Sequence, residues 1–285
     1  MQIVIDHITR YNYSEPAAGV VQLLKLTPRN SECQQVVNWR IDVDVDGSLV
    51  PGTDAYGNIV HYFYADRPVE SLTLHVTGTI ITSDQAGVLQ EIDEPLPPLL
   101  YRRATELTAI TPAIAHFAET FRREEPLATL HALMLGVHER IAFETGVTAP
   151  QTDADAVLQL GRGVCQDLSH LFIAAARHLG IPARYVSGHY AAADHPEQEA
   201  AHAWAEGHVA GLGWVSFDPT HCVSGTPGHV RVAVGLDAHE AAPVRGSRRG
   251  GGIESLAVGV HGRQAGSQRQ SQSSESQSAF GQTQA

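Results

Sequence analysis

Cysteine is scarce in this chain: Cys33, Cys165 and Cys222 are the only three in 285 residues. Three cannot form a disulfide framework, so the core must hold the fold, and a reducing cytoplasm is the expected compartment. Long apolar runs are missing too, and none approaches the ~20 residues a membrane-spanning helix needs. Met1-Gln2 leads straight into Ile3-Val4-Ile5, without the basic segment or small-residue cleavage site of a secretory signal. Positive charge is in deficit, with 19 Lys+Arg against 31 Asp+Glu and a net charge of −12. That balance excludes nucleic acid and anionic membrane as expected partners. There is no internal repeat. What remains is a globular composition, 43% hydrophobic and 18% charged, long enough for one large domain or two ordinary ones.

The first part reads as β-structure. Val37, Trp39, Ile41, Val43 and Val45 alternate with polar residues, as do Leu72, Leu74 and Val76, the pattern of strands with one wet face. Asp54-Ala55-Tyr56-Gly57-Asn58 is a turn signal before an aromatic strand, 59–64. An N-terminal β-sandwich over 1–95 is expected, with a Pro-rich crossing at 93–98. Helices follow. Thr111 with Pro112 caps one, Leu127, Leu130, Met134, Val137 and Ile141 stripe a second, and Thr152 or Asp153 caps a third ending at Leu160. A fourth carries Leu168, Leu171, Phe172, Ala175 and Leu179 on one stripe and stops at Gly180 and Pro182. Beyond Pro182 the period changes to two. Strands are expected over 183–190, 202–208 and 214–218, with closing strands at 229–234 and 253–261 and a polar loop over 191–201. The segment 245–252 reads as a solvated Gly/Arg loop, with an active-site lid as the alternative. The architecture is α+β, with a core over 96–262 in which helices pack on an antiparallel sheet, and a disordered Ser/Gln-rich tail over 263–285.

Gly161-Arg162-Gly163 reads as a flexible turn that delivers Cys165 onto the first turn of the fourth helix. Unpaired N–H groups and the helix dipole stabilise a thiolate there, although most free cysteines are inert small core residues. On the strand from His202, residues His202, Trp204, Glu206 and His208 share one face, opposite the helix layer. A hairpin loop from Val209 to Gly213 would pair His208 with Trp214 and bring Asp218 diagonally across from His202; a loop one residue different would flip Asp218 away. Thiol, imidazole and carboxylate then serve as nucleophile, general base and orienting group, and the Cys165 N–H as an oxyanion donor.

Gly-Arg-Gly-Val-Cys-Gln-Asp, His-Ala-Trp-Ala-Glu and Gly-Trp-Val-Ser-Phe-Asp-Pro-Thr, in that order, resemble the transglutaminase-like superfamily in its bacterial branch. Thr9-Arg10-Tyr11-Asn12-Tyr13-Ser14 and Asp54–Asn58 resemble the β-rich domain that precedes the core in that branch. The resemblance implies a papain-like core with Cys165 as nucleophile, His202 as base and Asp218 as orienting acid. It implies acyl transfer at a peptide or protein amide through a thioester, with water or an amine as second substrate, and no cofactor. A peptidase or amidase is the preferred expectation. Protein-glutamine transamidation and a non-catalytic peptide-binding module are the alternatives. Trp204, Trp214 and Gly163 are candidates for the substrate cleft, against ordinary packing. Asp167 is expected to be structural, Gln159 an exposed helical residue and Glu206 a supporting or surface group. His189, His195, His202, His208, His221 and Cys222 are the obvious metal set among 16 histidines, but with no His-x-x-x-His or Cys-x-x-Cys spacing no metal is expected.

Overall fold

The computed structural model describes residues 1–89, 94–191 and 201–264. Most of the 191–201 loop, with Asp194, His195, Pro196 and Glu197, lies outside them, as do 90–93 and the tail after Gln264. In chain order the elements are β1 Gln2–Thr27, β2 Gln34–Val43, β3 Gly47–Thr53, β4 Ile59–Ala65, β5 Val69–Thr82, β6 Val88–Leu89 and a 3₁₀ turn, Pro98–Arg102. Then come α1 Pro112–Glu119, α2 Pro126–Arg140, β7 Ala142–Phe143, α3 Ala154–Leu160, β8 Arg162–Gly163 and α4 Cys165–His178. The chain closes with β9 Ala183–Tyr190, β10 Ala201–Val209, β11 Gly213–Asp218, β12 Val223–Ser224, β13 His229–Gly235, β14 Val244–Gly250 and β15 Glu254–Gln264.

Three layers result. The helices cover one face of a sheet ordered β12-β11-β10-β9-β13, with β6 added on β11. Leu168, Leu171 and Phe172 of α4 meet Ala203, Ala205, Val215 and Phe217 of that sheet in the main core. On its other face Val230 and Val232 pack against Ile3, Ile5 and Ile80 of a second, seven-stranded sheet. That sheet is one surface curled on itself around β1. The first half of β1 is flanked by β5 and β15, the second by β4 and β14. Tyr11 and Tyr13 from the first half share a core with Val20, Leu24 and Phe63 from beyond the bend. The expected sandwich is thus made by one folded sheet.

Two expectations need correcting. The segment 245–252 lies mostly in strand β14, and β15, expected to close the core, pairs with β1 from Ile3↔Gln264 to Tyr13↔Glu254. So the span 96–262 does not stay in one unit: from Val244 onward the chain returns to the first sheet. A period of two announces a strand but not the sheet it joins.

Two side-chain amides fasten the sheets together. Asn58 Nδ2 donates to the Val234 carbonyl at 2.8 Å while its Oδ1 accepts the Val234 N–H at 2.8 Å. Gln34 does the same to Arg231, at 2.8 Å in each direction. Each amide acts as a one-residue strand on the outer backbone of β13 and satisfies groups that would otherwise be buried unpaired. Lys25, the chain's single lysine, pairs with Asp54 at 2.7 Å and also donates to the Glu240 carbonyl.

Glu206, expected near the surface or in support of the site, is fully buried between two guanidiniums. Arg184 Nε bonds one carboxylate oxygen at 2.6 Å and Arg231 Nε the other at 2.9 Å. Burial opposes the charge on Arg184, but Glu206 and Glu94 outweigh it and hold its basicity above the ordinary value. Removing the carboxylate leaves a buried, under-compensated cation. Glu206→Gln is therefore expected to lower stability by roughly 3–5 kcal/mol, read as the urea midpoint at unchanged slope; a loss below about 1 kcal/mol would show that the network is solvated.

Candidate functional site

The segment before α4 is pinned rather than flexible. Gly161 sits at φ +69° as the left-handed end of α3. Its carbonyl accepts the Ala142 N–H, and that of Gly163 accepts the Glu144 N–H, both at 2.9 Å. Val164 is the N-cap of α4 and has no side-chain acceptor to offer. Asp167 serves instead: its Oδ2 accepts the Val164 N–H at 2.8 Å and the Thr148 hydroxyl at 2.7 Å. Asp167 is wholly buried, and burial raises its pKa against the pull of those two bonds. Its role is structural, as expected. At the far end Gly180 (φ +83°) and Ile181 donate to the Arg177 and Ala176 carbonyls, closing the helix in a Schellman arrangement. Leu168 to Ala176 are all buried, so the helix is central and its first residue is fixed in space. That residue is Cys165, half-buried, a free thiol whose own N–H is among the unpaired donors of the first turn.

His202 and Asp218 reach it through the β10–β11 hairpin. The observed pairs Glu206↔Ser216, His208↔Trp214 and Val209↔Gly213 are the register that puts Asp218 on the His202 face. His202 Nε2 and Asp218 Oδ2 are 2.7 Å apart. The Cys165 sulfur is near enough to favour the charged imidazole, and with Nε2 on Asp218, Nδ1 is the ring nitrogen left for the thiol. Burial pulls the His202 pKa down, but the Asp218 hydrogen bond and the Cys165 sulfur outweigh it, and the net result is a rise to about 9. At neutral pH the imidazole is therefore a cation set between a thiol and a carboxylate, the pairing that stabilises a thiolate.

Asp218 does more than orient one histidine. His221 Nδ1 lies 2.6 Å and His229 Nε2 3.1 Å from the same Oδ2. Oδ1 accepts the N–H groups of Thr220 at 3.0 Å and His221 at 3.3 Å. Although burial alone would raise it, these partners hold the fully buried carboxyl far below the usual carboxylate range. The Thr226 N–H donates to His229 Nδ1 at 3.1 Å, so neutral His229 carries its proton on Nε2 and donates it to Asp218. Burial lowers the His229 pKa, consistent with that neutral form. The Tyr190 ring packs over His221 at 4.4 Å, over His229 at 4.6 Å and over His202 at 5.7 Å. Sequence reasoning missed His229 and Tyr190 and named His221 only as a possible metal ligand. The tight turn after Asp218 was the one visible signal, since it returns residue 221 to the carboxylate.

The other candidates fare differently. Trp204 lies beside His202, ring centroids 6.0 Å apart, and edge-on to His229 at 5.0 Å; it is almost wholly buried, and with His229 it lines a small pocket that also includes Cys33, Val88 and Arg231. Trp214 is elsewhere. It lies beneath the Arg184 guanidinium at 3.8 Å and against Tyr101 at 5.0 Å, at the opposite end of β11 from Asp218. The shared strand face was right; four residues of strand rise, about 13 Å, separate the two. Gly163 is required by packing, because a Cβ there would stand 2.7 Å from Asp167 Oδ2. Gln159 is an exposed residue of α3. Of the metal set, His189 is buried beside His7 and His208 lies against Trp214, whereas His202 and His221 converge. A groove of about 980 Å³ includes Gln166, the residue after Cys165, with Tyr185, Asp237 and Glu240 in its walls; Cys165, His202 and Asp218 are not among its lining residues.

Gly163→Ala is expected to push the Asp167 carboxylate off the Val164 N–H and displace Cys165. Stability should fall by about 1–3 kcal/mol, and thiol alkylation at Cys165 should slow with it. A stable variant with unchanged alkylation would contradict this role.

Three kinds of comparison bear on the arrangement. The family model for the transglutaminase-like superfamily matches residues 115–219, and that for the bacterial transglutaminase-like N-terminal region matches residues 3–81. An uncharacterized protein of Mycobacterium leprae is 28% identical over 280 residues, covering 90% of this chain and 96% of its own. One from Mycobacterium tuberculosis is 30% identical over 269 residues, covering 85% and 86%. A crystal structure from Cytophaga hutchinsonii, described as a "Putative Cysteine Protease", superposes with a TM-score of 0.75 at 22% identity over 92% of this chain and 90% of that one. That last likeness bears on the fold.

Proposed function

We propose that this chain, which belongs to the transglutaminase-like superfamily, is a cysteine acyl-transfer enzyme that opens an amide through a thioester on Cys165, working chiefly as a peptidase or amidase. The observation that carries the reading is His202 bonded at 2.7 Å to the buried Asp218 carboxylate, with the Cys165 sulfur near enough to favour its charged form. A non-catalytic peptide-binding module would have no use for a buried carboxylate and a cationic imidazole aligned on a thiol.

In this reading the Cys165 thiolate attacks the amide carbonyl of a peptide or protein substrate lying along the Gln166 groove. The Cys165 N–H stabilises the oxyanion. His202 passes its Nδ1 proton to the departing amine, leaving a Cys165 thioester and a neutral imidazole. Water, or an amine in the transamidation alternative, then gives a proton to His202, attacks the thioester carbonyl and releases the thiolate. Asp218 stays ionised and holds the ring throughout. No step needs a cofactor. The expected setting is the cytoplasm, with no nucleic-acid or membrane partner. Among the described residues no helix is long and apolar enough to cross a membrane.

Because His202 is held protonated up to about 9, the catalytic acid is present throughout the neutral range and is lost above that value. Turnover is expected to fall above pH ~9, and Asp218→Asn should move this alkaline limb down by removing the interaction that raises the histidine. To separate the two acyl acceptors, a glutamine-containing peptide is incubated with the protein, with and without a primary amine, and the products are weighed. Hydrolysis products in both samples support the peptidase or amidase reading, and a mass gained only with the amine supports transamidation. No turnover of any of a broad peptide set, by a protein whose Cys165 alkylates normally, would count for the binding module.

A further inference from the structure

A catalytic triad requires one imidazole on its carboxylate, and Asp218 holds three. The mechanism above leaves His221 and His229 without a chemical task. His202 Nε2, Asp218 Oδ2 and His221 Nδ1 lie within 4.8 Å of one another, two imidazole nitrogens and a carboxylate oxygen converging on one point. We infer that this convergence is a binding site for a zinc-class divalent cation, which blocks the enzyme reversibly by taking the Asp218 side of His202.

The donor set is of the borderline type that such cations favour, and a dication would replace the protons now shared between Oδ2 and the two rings. Metal–nitrogen and metal–oxygen distances of about 2.0–2.2 Å around a tetrahedral ion put neighbouring ligand atoms roughly 3.4 Å apart, so the contacts, now 2.7 and 2.6 Å, would open as the ion replaces the shared protons. Supporting bonds are in place. His229 donates to Oδ2, Thr220 and His221 donate backbone N–H groups to Oδ1, and Thr226 fixes the His229 tautomer. A ligating carboxylate held in this way is the usual surround of a metal centre. His221 is 38% exposed and supplies an entrance, while His202 is 7% exposed and Asp218 fully enclosed. The sequence put His202 and His221 in a wider candidate set but did not join Asp218 to them, because a strand start, a strand end and a turn contribute one ligand each.

The consequence follows from which nitrogen is taken. With the cation on Nε2, the neutral ring keeps its remaining proton on Nδ1, the nitrogen that Asp218 does not hold. It can no longer accept a proton from a thiol or an attacking water. No bond to the thiol is involved, so the cation leaves Cys165 unmodified and a chelator restores the enzyme. The inhibitory consequence rests on the acyl-transfer reading; the binding itself does not.

The test therefore removes the thiol and measures binding. Chelator-treated Cys165→Ala protein is titrated with zinc chloride by calorimetry, and with cobalt(II) to record its visible bands. One ion per chain is expected, with a cobalt spectrum lacking thiolate charge-transfer and no competition from a hundredfold excess of magnesium. His221→Ala and His221→Gln, each in the Cys165→Ala background and checked for folding by circular dichroism, should weaken binding at least tenfold, whereas His208→Ala should leave it unchanged. Failure of Cys165→Ala protein to take up one ion overturns the inference, as does equal affinity in both His221 variants. Either result leaves the proposed activity standing, because turnover is measured separately on wild-type protein freed of metal.

Discussion

A buried negative charge at Asp218 is the constraint on which the site depends. A carboxylate taken wholly out of water is costly unless its lone pairs are filled, and here three imidazoles and two backbone N–H groups fill them. Hydrogen bonds to a charged group contribute about 1.5–3 kcal/mol each, so the cluster links pieces of chain that are distant in sequence. β10 brings His202, the turn after β11 brings His221, and β13 brings His229. The same charge keeps His202 cationic against its own burial. In the proposed mechanism structure and reactivity share one cause: what makes the carboxylate tolerable in the interior also favours the charged imidazole.

The rest of the fold keeps that cluster and the α4 N-terminus in register. Helix α4 is buried along most of its length and capped at both ends, so Cys165 cannot drift relative to the sheet. At the free edge of the sheet Asn58 and Gln34 attach the curled N-terminal sheet to the β13 backbone, three residues apart, on the strand that begins with His229. Glu240 is tied to the same sheet by Tyr56 and Lys25, and it forms part of the groove wall beside Gln166. The N-terminal region is therefore built into the back of the site. The Arg184–Glu206–Arg231 network extends this link, since Arg231 takes its second anchor from Gln34.

Much of this was legible in the sequence where the signal is local. The α4 stripe, its Gly180 stop, the caps at Thr111 and Asp153, and the parity of the β10–β11 hairpin all follow from periods and turn chemistry within a few residues. Partnerships that depend on topology were not legible. Nothing near Glu206 announces Arg184 and Arg231, each more than twenty positions away, and an alternating segment at 254–264 does not say that it will pair with residues 3–13. Trp214 shows the limit of face parity, which assigns a side of the sheet but not a position along it. His229 escaped notice for a related reason, because a histidine opening a strand looks the same whether it faces water or a carboxylate.

The central claim is that His202, held by Asp218, keeps Cys165 poised as a nucleophile. The pH dependence of iodoacetamide alkylation at Cys165, assigned by peptide mass so that Cys33 and Cys222 are counted apart, addresses it directly in wild-type and His202→Ala protein. The account predicts that wild-type Cys165 alkylates at neutral pH faster than Cys33 and Cys222, and that His202→Ala removes the difference. A wild-type profile like that of a free thiol, unchanged by His202→Ala, would contradict it.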